Sequence, residues 1–430
     1  MSAPNPRSTA TEALLDTLEM PKGGCIEVAR RAALARLRAM GLPQRRDEYW
    51  KFTKPDTLMS SEVPPAAPFD NEEKLMFDEF DRLKIVFVDG VFDAQASDDL
   101  SLEGVTFDRL EDICCTDIHW AKEIYGVLET RGQTPVARPF AALNTAYATD
   151  GIAIHVTGRP SKPISLIYIH DSRASDAILH HIVRVEPGAE VTILENGPAA
   201  ARLNKCMEID IADGGTLHHI RAQGRDPERR AVTAMFTRLG KESVFKSFTV
   251  TVNGALTRNE SVIELTGDDA VAHVAGACVG DAGGDRHFHH DDTVFVTHDA
   301  LNCESRQVFK KVLRNGATGV FQGKILVKAG AQKTDGYQIS QALLLDDDSQ
   351  FLAKPELEIY ADDVICSHGS TTGAIDETAL FYLRSRGVPK KEATNLLTLS
   401  FLAEAVDEIE DAALAEDIRS RLENWLSRRS

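Results

Sequence analysis

From Leu83 onward short apolar runs are broken by turn residues, several with β-branched residues at alternate positions. "LKIVFVDGVF" (83–92) sets β-branched and aromatic residues in a short run, turns at Asp89-Gly90 and starts again, which predicts a strand, a tight turn and a second strand. The same texture returns in "GIAIHVTG", "ISLIYIHD", "LHHIVRVEPGAEVTILEN", "SVFKSFTVTVNGALTRNESVIEL" and "GVFQGKILVKAGAQ", as far as about residue 365. A helical interlude is predicted at about 106–129. Gly240, Gly254, Gly267 and Gly280 recur at intervals of 14, 13 and 13, and Gly316 and Gly330 stand 14 apart. Such spacing predicts repeated strand–turn units, a β-solenoid or a long meander, between which spacing alone does not decide. No helices long enough for βαβ crossovers break the pattern, which disfavours a doubly wound sheet.

The flanks follow the helical period. "TATEALLDTLEM" and "IEVARRAALARLRAMG" predict helix within 9–41, with Gly41 and Pro43 as stop signals. "SSEVPPAAPFDNEE" (60–73) reads as a surface linker. At the other end "DETALFYLRSRG" stops at Gly387, and Pro389 suits the start of "KKEATNLLTLSFLAEAVDEI". In the last helix Leu414, Ile418, Leu422, Trp425 and Leu426 form one stripe. In the helix before it, Leu396, Leu397, Leu399, Phe401, Leu402 and Val406 cover more than one face. Such a helix is buried on several sides, by its own domain or by a partner. The predicted division is a helical region over 1–82, a β core over 83–372 and a helical domain over 373–430.

Composition narrows the function. Hydrophobic residues make up 43% of 430, enough for a large core. Lys plus Arg is 48 against 66 Asp plus Glu, a net charge of -18. That opposes general nucleic-acid binding, which needs basic surface to replace counterions, and suits a partner with basic contact surface. The start lacks a basic-then-apolar secretory pattern, and no apolar run reaches membrane-spanning length. The seven cysteines (25, 114, 115, 206, 278, 303 and 366) are odd in number, sparse and free of any C-x-x-C pair. They predict neither a disulfide framework nor a closed cluster site, and point to the cytoplasm.

Three stretches carry candidate chemistry. In "DDVICSHGST" (362–371) Cys366 and His368 stand two apart; on a strand they leave the same face, as a pair of metal ligands or as a packed thiol beside a backbone-bonded imidazole. "DRHFHHDDTVFVTH" (285–298) offers His287, His289, His290 and His298 with Asp291 and Asp292, a conceivable metal site or a polar turn. His287 and His289 are placed on one strand face. "NCESRQVFKKVL" (302–313) sets Cys303 near Ser305, where a nucleophile needs a positioned base; a structural thiol is the simpler reading, as it is for Cys114 and Cys115. Neither a Walker A loop nor a G-x-G-x-x-G is present, so no nucleotide is expected to bind by those devices.

Taken together, "HHDDTVFVTHDALNCESRQVFKKVLRNGATGVFQGKILVKAGAQKTDGYQISQALLLDD" and "PELEIYADDVICSHGSTTGAIDETALFYLRSRG" resemble the SufB/SufD family of the SUF iron–sulfur cluster assembly machine. The match lies on its SufD side, since the SufB side carries its own cluster-related cysteine and a glutamate near the C-terminal motif. "RRDEYWKFT", "LNTAYATDG" and "VEPGAEVTILE" also fit, so the resemblance covers nearly the whole chain.

The resemblance implies a right-handed parallel β-helix flanked by helical regions, and a non-catalytic scaffold. It implies pairing with a SufB-like paralogue and binding of a SufC-like ATPase through the C-terminal helices, for which Leu396, Leu397 and Phe401 are the candidate contacts. It places the family's cysteine and histidine on Cys366 and His368, as ligands of a transient iron–sulfur cluster completed across the paralogue interface. A homodimer of the isolated chain is left open. The rival readings are a metal-dependent enzyme using the 287–298 histidines and a purely structural subunit.

Overall fold

The computed structural model describes residues 6–68, 75–224 and 226–429. Residues 69–73 of the predicted linker lie outside them. Strands are dealt alternately to two sheets. The first takes Leu83–Val88 with Val91–Phe92, then Ile164–Ile169, Glu190–Asn196, Thr216–Gln223, Val244–Val252, Val271–Asp281, Glu304–Arg314, Asp335–Leu344 and Ile365–Gly373. The second takes Val105–Arg109, Ile152–Val156, Asp176–Val185, Arg202–Ile211, Arg230–Leu239, Leu256–Leu265, His289–His298, Thr318–Val327 and Gln350–Ile359. Neighbours pair in parallel, except for the antiparallel Val91–Phe92 and Val105–Arg109. A meander would pair them antiparallel, so the repeat is a solenoid with one strand in each sheet per turn. A turn spans between 26 residues (Thr233 to Asn259) and 33 (Asn259 to Asp292). The glycine interval read from the sequence is half a turn.

Both faces of both sheets are covered. On Asp176–Val185, Leu179 and Val183 enter the interior core while Ile178 and Ile182 pack outward. The outward set of the second sheet meets the helices Glu27–Met40 and Pro139–Tyr147. The outward set of the first sheet, including Ile220, Phe248, Ala277 and Val308, meets the helices Lys390–Val406 and Ala412–Arg429. Burial on two sides explains why these strands read as long apolar runs rather than strict alternation. The predicted stripe Leu414, Ile418, Leu422, Trp425 and Leu426 is buried in this contact.

The interlude predicted at 106–129 is helical only in short pieces, among them a 3-10 turn at Trp120–Glu123. Residues 105–109 form a strand against Ile152–Val156, and the helices are Leu110–Ile113, Val127–Arg131 and Pro139–Tyr147. All nine residues of Pro139–Tyr147 are buried, so its sequence has no polar face to mark a period. At the N-terminus helix is confined to Pro6–Leu15 and Glu27–Met40, separated by Gly23 and Gly24 at positive φ. Arg30, fully buried, donates from Nη1 to the carbonyls of Ala148 (2.8 Å) and Ala146 (3.3 Å), at the end of Pro139–Tyr147. A cation there satisfies carbonyls the helix leaves open.

Corner glycines set how closely turns stack. Gly197 has φ +110°, and a Cβ on it would collide with the Tyr168 carbonyl oxygen. Gly188 has φ +70° with nothing within 4 Å of the same position. Gly197→Ala is expected to lose about 3 kcal/mol or more in urea unfolding, and Gly188→Ala only about 1 kcal/mol, the backbone term alone.

Candidate functional site

The strands Gln350–Ile359 and Ile365–Gly373 end the two sheets, and each has one edge with no strand beside it among the described residues. Parallel, in-register pairing makes columns of side chains. One interior column runs Val191, Leu217, Phe245, Ala272, Ser305, Gly336 and Cys366; the next runs Ile193, His219, Ser247, Val274, Gln307, Gln338 and His368. Cys366 and His368 therefore share a face, as their spacing predicts, and that face is the solenoid interior laid open at its last turn.

Cys366 is half-buried against Ile325, Val327 and Ala361. Gly336 behind it leaves room, since a Cβ there would sit 3.2 Å from Sγ. Burial pushes the Cys366 thiol above its usual range, with Asp335 adding to the shift. The free thiol is protonated at neutral pH, so a metal must displace a proton to bind it. His368 is exposed.

Beneath His368 lie two side chains the sequence reading did not single out. Gln338 and Gln307 are fully buried, and both carboxamide atoms of each lack a hydrogen-bond partner. Gln338 reaches across to the second sheet, where any side chain on Gly323 would collide with its Oε1. Only the column register relates them to Cys366 and His368, and register needs the turn lengths.

The deeper interior carries polar groups that pair with one another. Glu195 accepts from Tyr168 Oη (2.7 Å) and from Lys205, and meets His219 Nε2 at 2.7 Å. Burial raises the Glu195 carboxyl, but Lys205 and His219 more than offset this and hold it well below the usual range. Burial brings Lys205 down to about 8. Three turns on from Lys205, Lys311 Nζ contacts Asp292 Oδ2 (2.5 Å) and His290 Nδ1 (2.8 Å). Burial holds His290 at about 3 and, with Lys205, His181 also at about 3; burial alone holds His298 at about 4.

The 285–298 histidines do not converge. The strand begins at His289, so the exposed His287 precedes it and shares no strand face with His289, contrary to the sequence expectation. His289 Nε2 meets Thr53 Oγ1 at 2.9 Å outside the solenoid; His290 and His298 point inside, His298 to Ser305 Oγ at 2.8 Å. Among the described residues no three His, Cys, Asp or Glu side chains are grouped to hold a metal. Cys303 donates to the Gly267 carbonyl (3.3 Å) as a packed thiol. Cys114 accepts from Arg30 Nη2 (3.4 Å), and Cys115 is exposed.

On the C-terminal helices, Phe401 packs on the first sheet with Lys310 Nζ 4.7 Å from its ring centroid. Leu397 is half-buried and Leu396 exposed. The most open apolar side chains here are Phe381 (73% exposed) and Tyr382 (53%), on the helix Glu377–Ser385. No helix among the described residues is long and apolar enough to cross a membrane.

Comparison with known proteins assigns both halves. Residues 168–401 match the family described as "SUF system FeS cluster assembly, SufBD core domain", and 13–162 match "SufBD protein N-terminal region". The chain is 28% identical over 405 residues to the iron–sulfur cluster assembly protein SufD of Escherichia coli, covering 90% of each. It is 27% identical over 419 residues to an iron–sulfur cluster assembly SufBD family protein of Synechocystis (91% and 89% covered), and 26% over 293 residues to the SufD of Bacillus subtilis (66% and 65%).

Two outcomes follow from the interior. Gln338→Leu removes two buried unpartnered atoms at similar volume, and its urea unfolding is expected to be unchanged or up to about 2 kcal/mol more stable. His181, His290 and His298 titrate near 6.5 when unfolded but near 3 to 4 in the fold. The unfolded chain thus binds more protons between these values; their contribution is complete above about pH 6.5 and falls as pH drops toward 4. Unfolding midpoints measured over that range should show the decline, and His290→Gln should flatten it by up to about 1.4 kcal/mol per pH unit.

Proposed function

The chain belongs to the SufB/SufD family of iron–sulfur cluster assembly proteins, and on that footing we propose that it is a cytoplasmic, non-catalytic scaffold subunit. It pairs through the open last turn with a SufB-like paralogue and supplies Cys366 and His368 to a cluster assembled between them. The observation that carries this reading is the placement of a thiol and an imidazole on one interior face at the solenoid end, beside two strand edges unpaired among the described residues. An unpaired edge is a template for another chain's strand, and the same edges would serve a homodimer of the isolated chain. Two ligands from this chain leave the set to be completed by the partner, which keeps the cargo transferable.

The residues' chemistry fits that role. The protonated Cys366 thiol binds metal only on losing its proton, so loading releases a proton there. A SufC-like ATPase docks on the C-terminal helices, where Phe381, Tyr382 and Leu396 present open apolar surface, and nucleotide hydrolysis belongs to that partner. Removing these helices outright is a poor test, because Leu402, Ile418 and Trp425 cover the first sheet. The reading as a purely structural subunit draws on the half-burial of Cys366; the metal-enzyme reading loses its support with the dispersed histidines.

Cys366→Ala and His368→Ala should each fold with losses under about 2 kcal/mol, since neither vacates a large core volume. Both should lower the iron and sulfide recovered on the complex assembled with paralogue and ATPase. Normal loading by both variants would favour the structural subunit. Phe381→Ala with Tyr382→Ala should weaken ATPase association at least about tenfold in a pull-down titration while leaving unfolding unchanged.

A further inference from the structure

The segment Arg45–Thr53 has no part in the function proposed above. It lies on the outside of the second sheet, held by Arg258 Nη1 and Gln322 Nε2, which donate to the Tyr49 carbonyl at 2.9 and 3.1 Å. Arg258 also lies 4.1 Å from the Trp50 ring centroid. The acids around it are engaged locally. Asp47 pairs with Arg7 (2.9 Å), Glu48 with Lys354 (2.6 Å), and Glu356 accepts from the Tyr49 hydroxyl.

The cations are not engaged. Arg45, Arg46, Lys51 and Lys54 are exposed, and among the described residues none has a carboxylate within ion-pairing distance. Arg46 reaches only the Gln44 side chain (2.9 Å), and Lys51 lies 5.8 Å from the Phe52 ring centroid. All four line one cleft of about 1010 Å³. Leu256 and Leu352 line it too, and Asp56 is its one acid. Four unpaired cations in one cleft, on a chain of net charge -18, make a local field opposite to the rest of the surface.

We propose that this cleft is a docking site for an acidic polypeptide segment of a partner protein, with apolar side chains set among its carboxylates. The cations meet the carboxylates, and the leucine-bearing strand starts meet the apolar side chains. The cleft is open and its cations stand at the tips of exposed side chains. A phosphate site would instead gather backbone N–H groups around one point. Its reach to Gln350 and Leu352 in the last turn makes it continuous with the end where the paralogue is seated; that continuity alone rests on the function proposed above.

The test uses the full chain and a short fluorescein-labelled peptide alternating Glu and Asp with Leu, read by fluorescence anisotropy. Binding is expected, weakening as salt is raised. The triple variant R45E/K51E/K54E should bind at least about tenfold more weakly, with an unchanged unfolding curve. The control R384E/K390E/K391E, which reverses another exposed basic surface, should bind like the parent chain. The proposal is overturned if the first variant binds the peptide normally or if the control loses binding equally. It also fails if pyrophosphate or single-stranded RNA, and not the peptide, binds in a way that depends on Arg45, Lys51 and Lys54. None of these readouts involves iron or sulfide, so they stand whatever the fate of the Cys366 and His368 site.

Discussion

In-register parallel pairing carries every side chain into a column, one strand spacing of about 4.8 Å above its neighbour. Once Arg230 stands between Arg202 and Leu256, the facing of every residue in those strands is set. An apolar column such as Val191, Leu217 and Phe245 fuses into continuous core. A polar position must instead find its partner in the same turn, the next one, or across the interior. The Glu195 group with Lys205, Tyr168 and His219 does this within two turns. Such buried ionic groups add little net stability over an apolar core, but breaking one leaves a stranded charge.

The same constraint governs the outside of the sheets. Parallel strands linked by short corners leave outward faces as apolar as inward ones, and water on either side would be unfavourable. The N-terminal and C-terminal helices are therefore the outer layers of the β core. Their attachment mixes apolar area with specific buried contacts: Arg30 on the carbonyls of Ala146 and Ala148, and Arg258 on the Tyr49 carbonyl and the Trp50 ring.

A ladder of this kind has an end, and chemistry collects there. Within the stack Cys278 is sealed, its thiol pushed by burial up to about 12, and it is inert for that reason. Cys366 occupies an interior column too, but among the described residues no further turn covers it. The unpartnered amides of Gln307 and Gln338 stand in the column below His368. Two fully unpartnered carboxamides thus stand next to the turn at which the interior opens.

The repeat, the helical flanks, the shared face of Cys366 and His368 and the family motifs were legible in the sequence, because each is a local pattern: glycine intervals, a 3.6-residue stripe, an i, i+2 spacing, a run of residues. The strand Val105–Arg109 and the helix Pro139–Tyr147 were not, since a short strand shows little alternation and a helix buried all round shows no period. The dispersal of His289, His290 and His298 was also hidden. Adjacent residues on a strand face opposite ways, and only the tertiary packing decided that one side was the interior and the other the segment carrying Thr53. The role of Phe401 turned on the same point, for an apolar helix face does not say whether its cover is its own sheet or a partner, and here Lys310 and the first sheet cover it. Gln338 meets His368 only because Asp335–Leu344 lies in register with Ile365–Gly373; that register depends on the length of every corner between them, a property of the folded chain that no short stretch of residues contains.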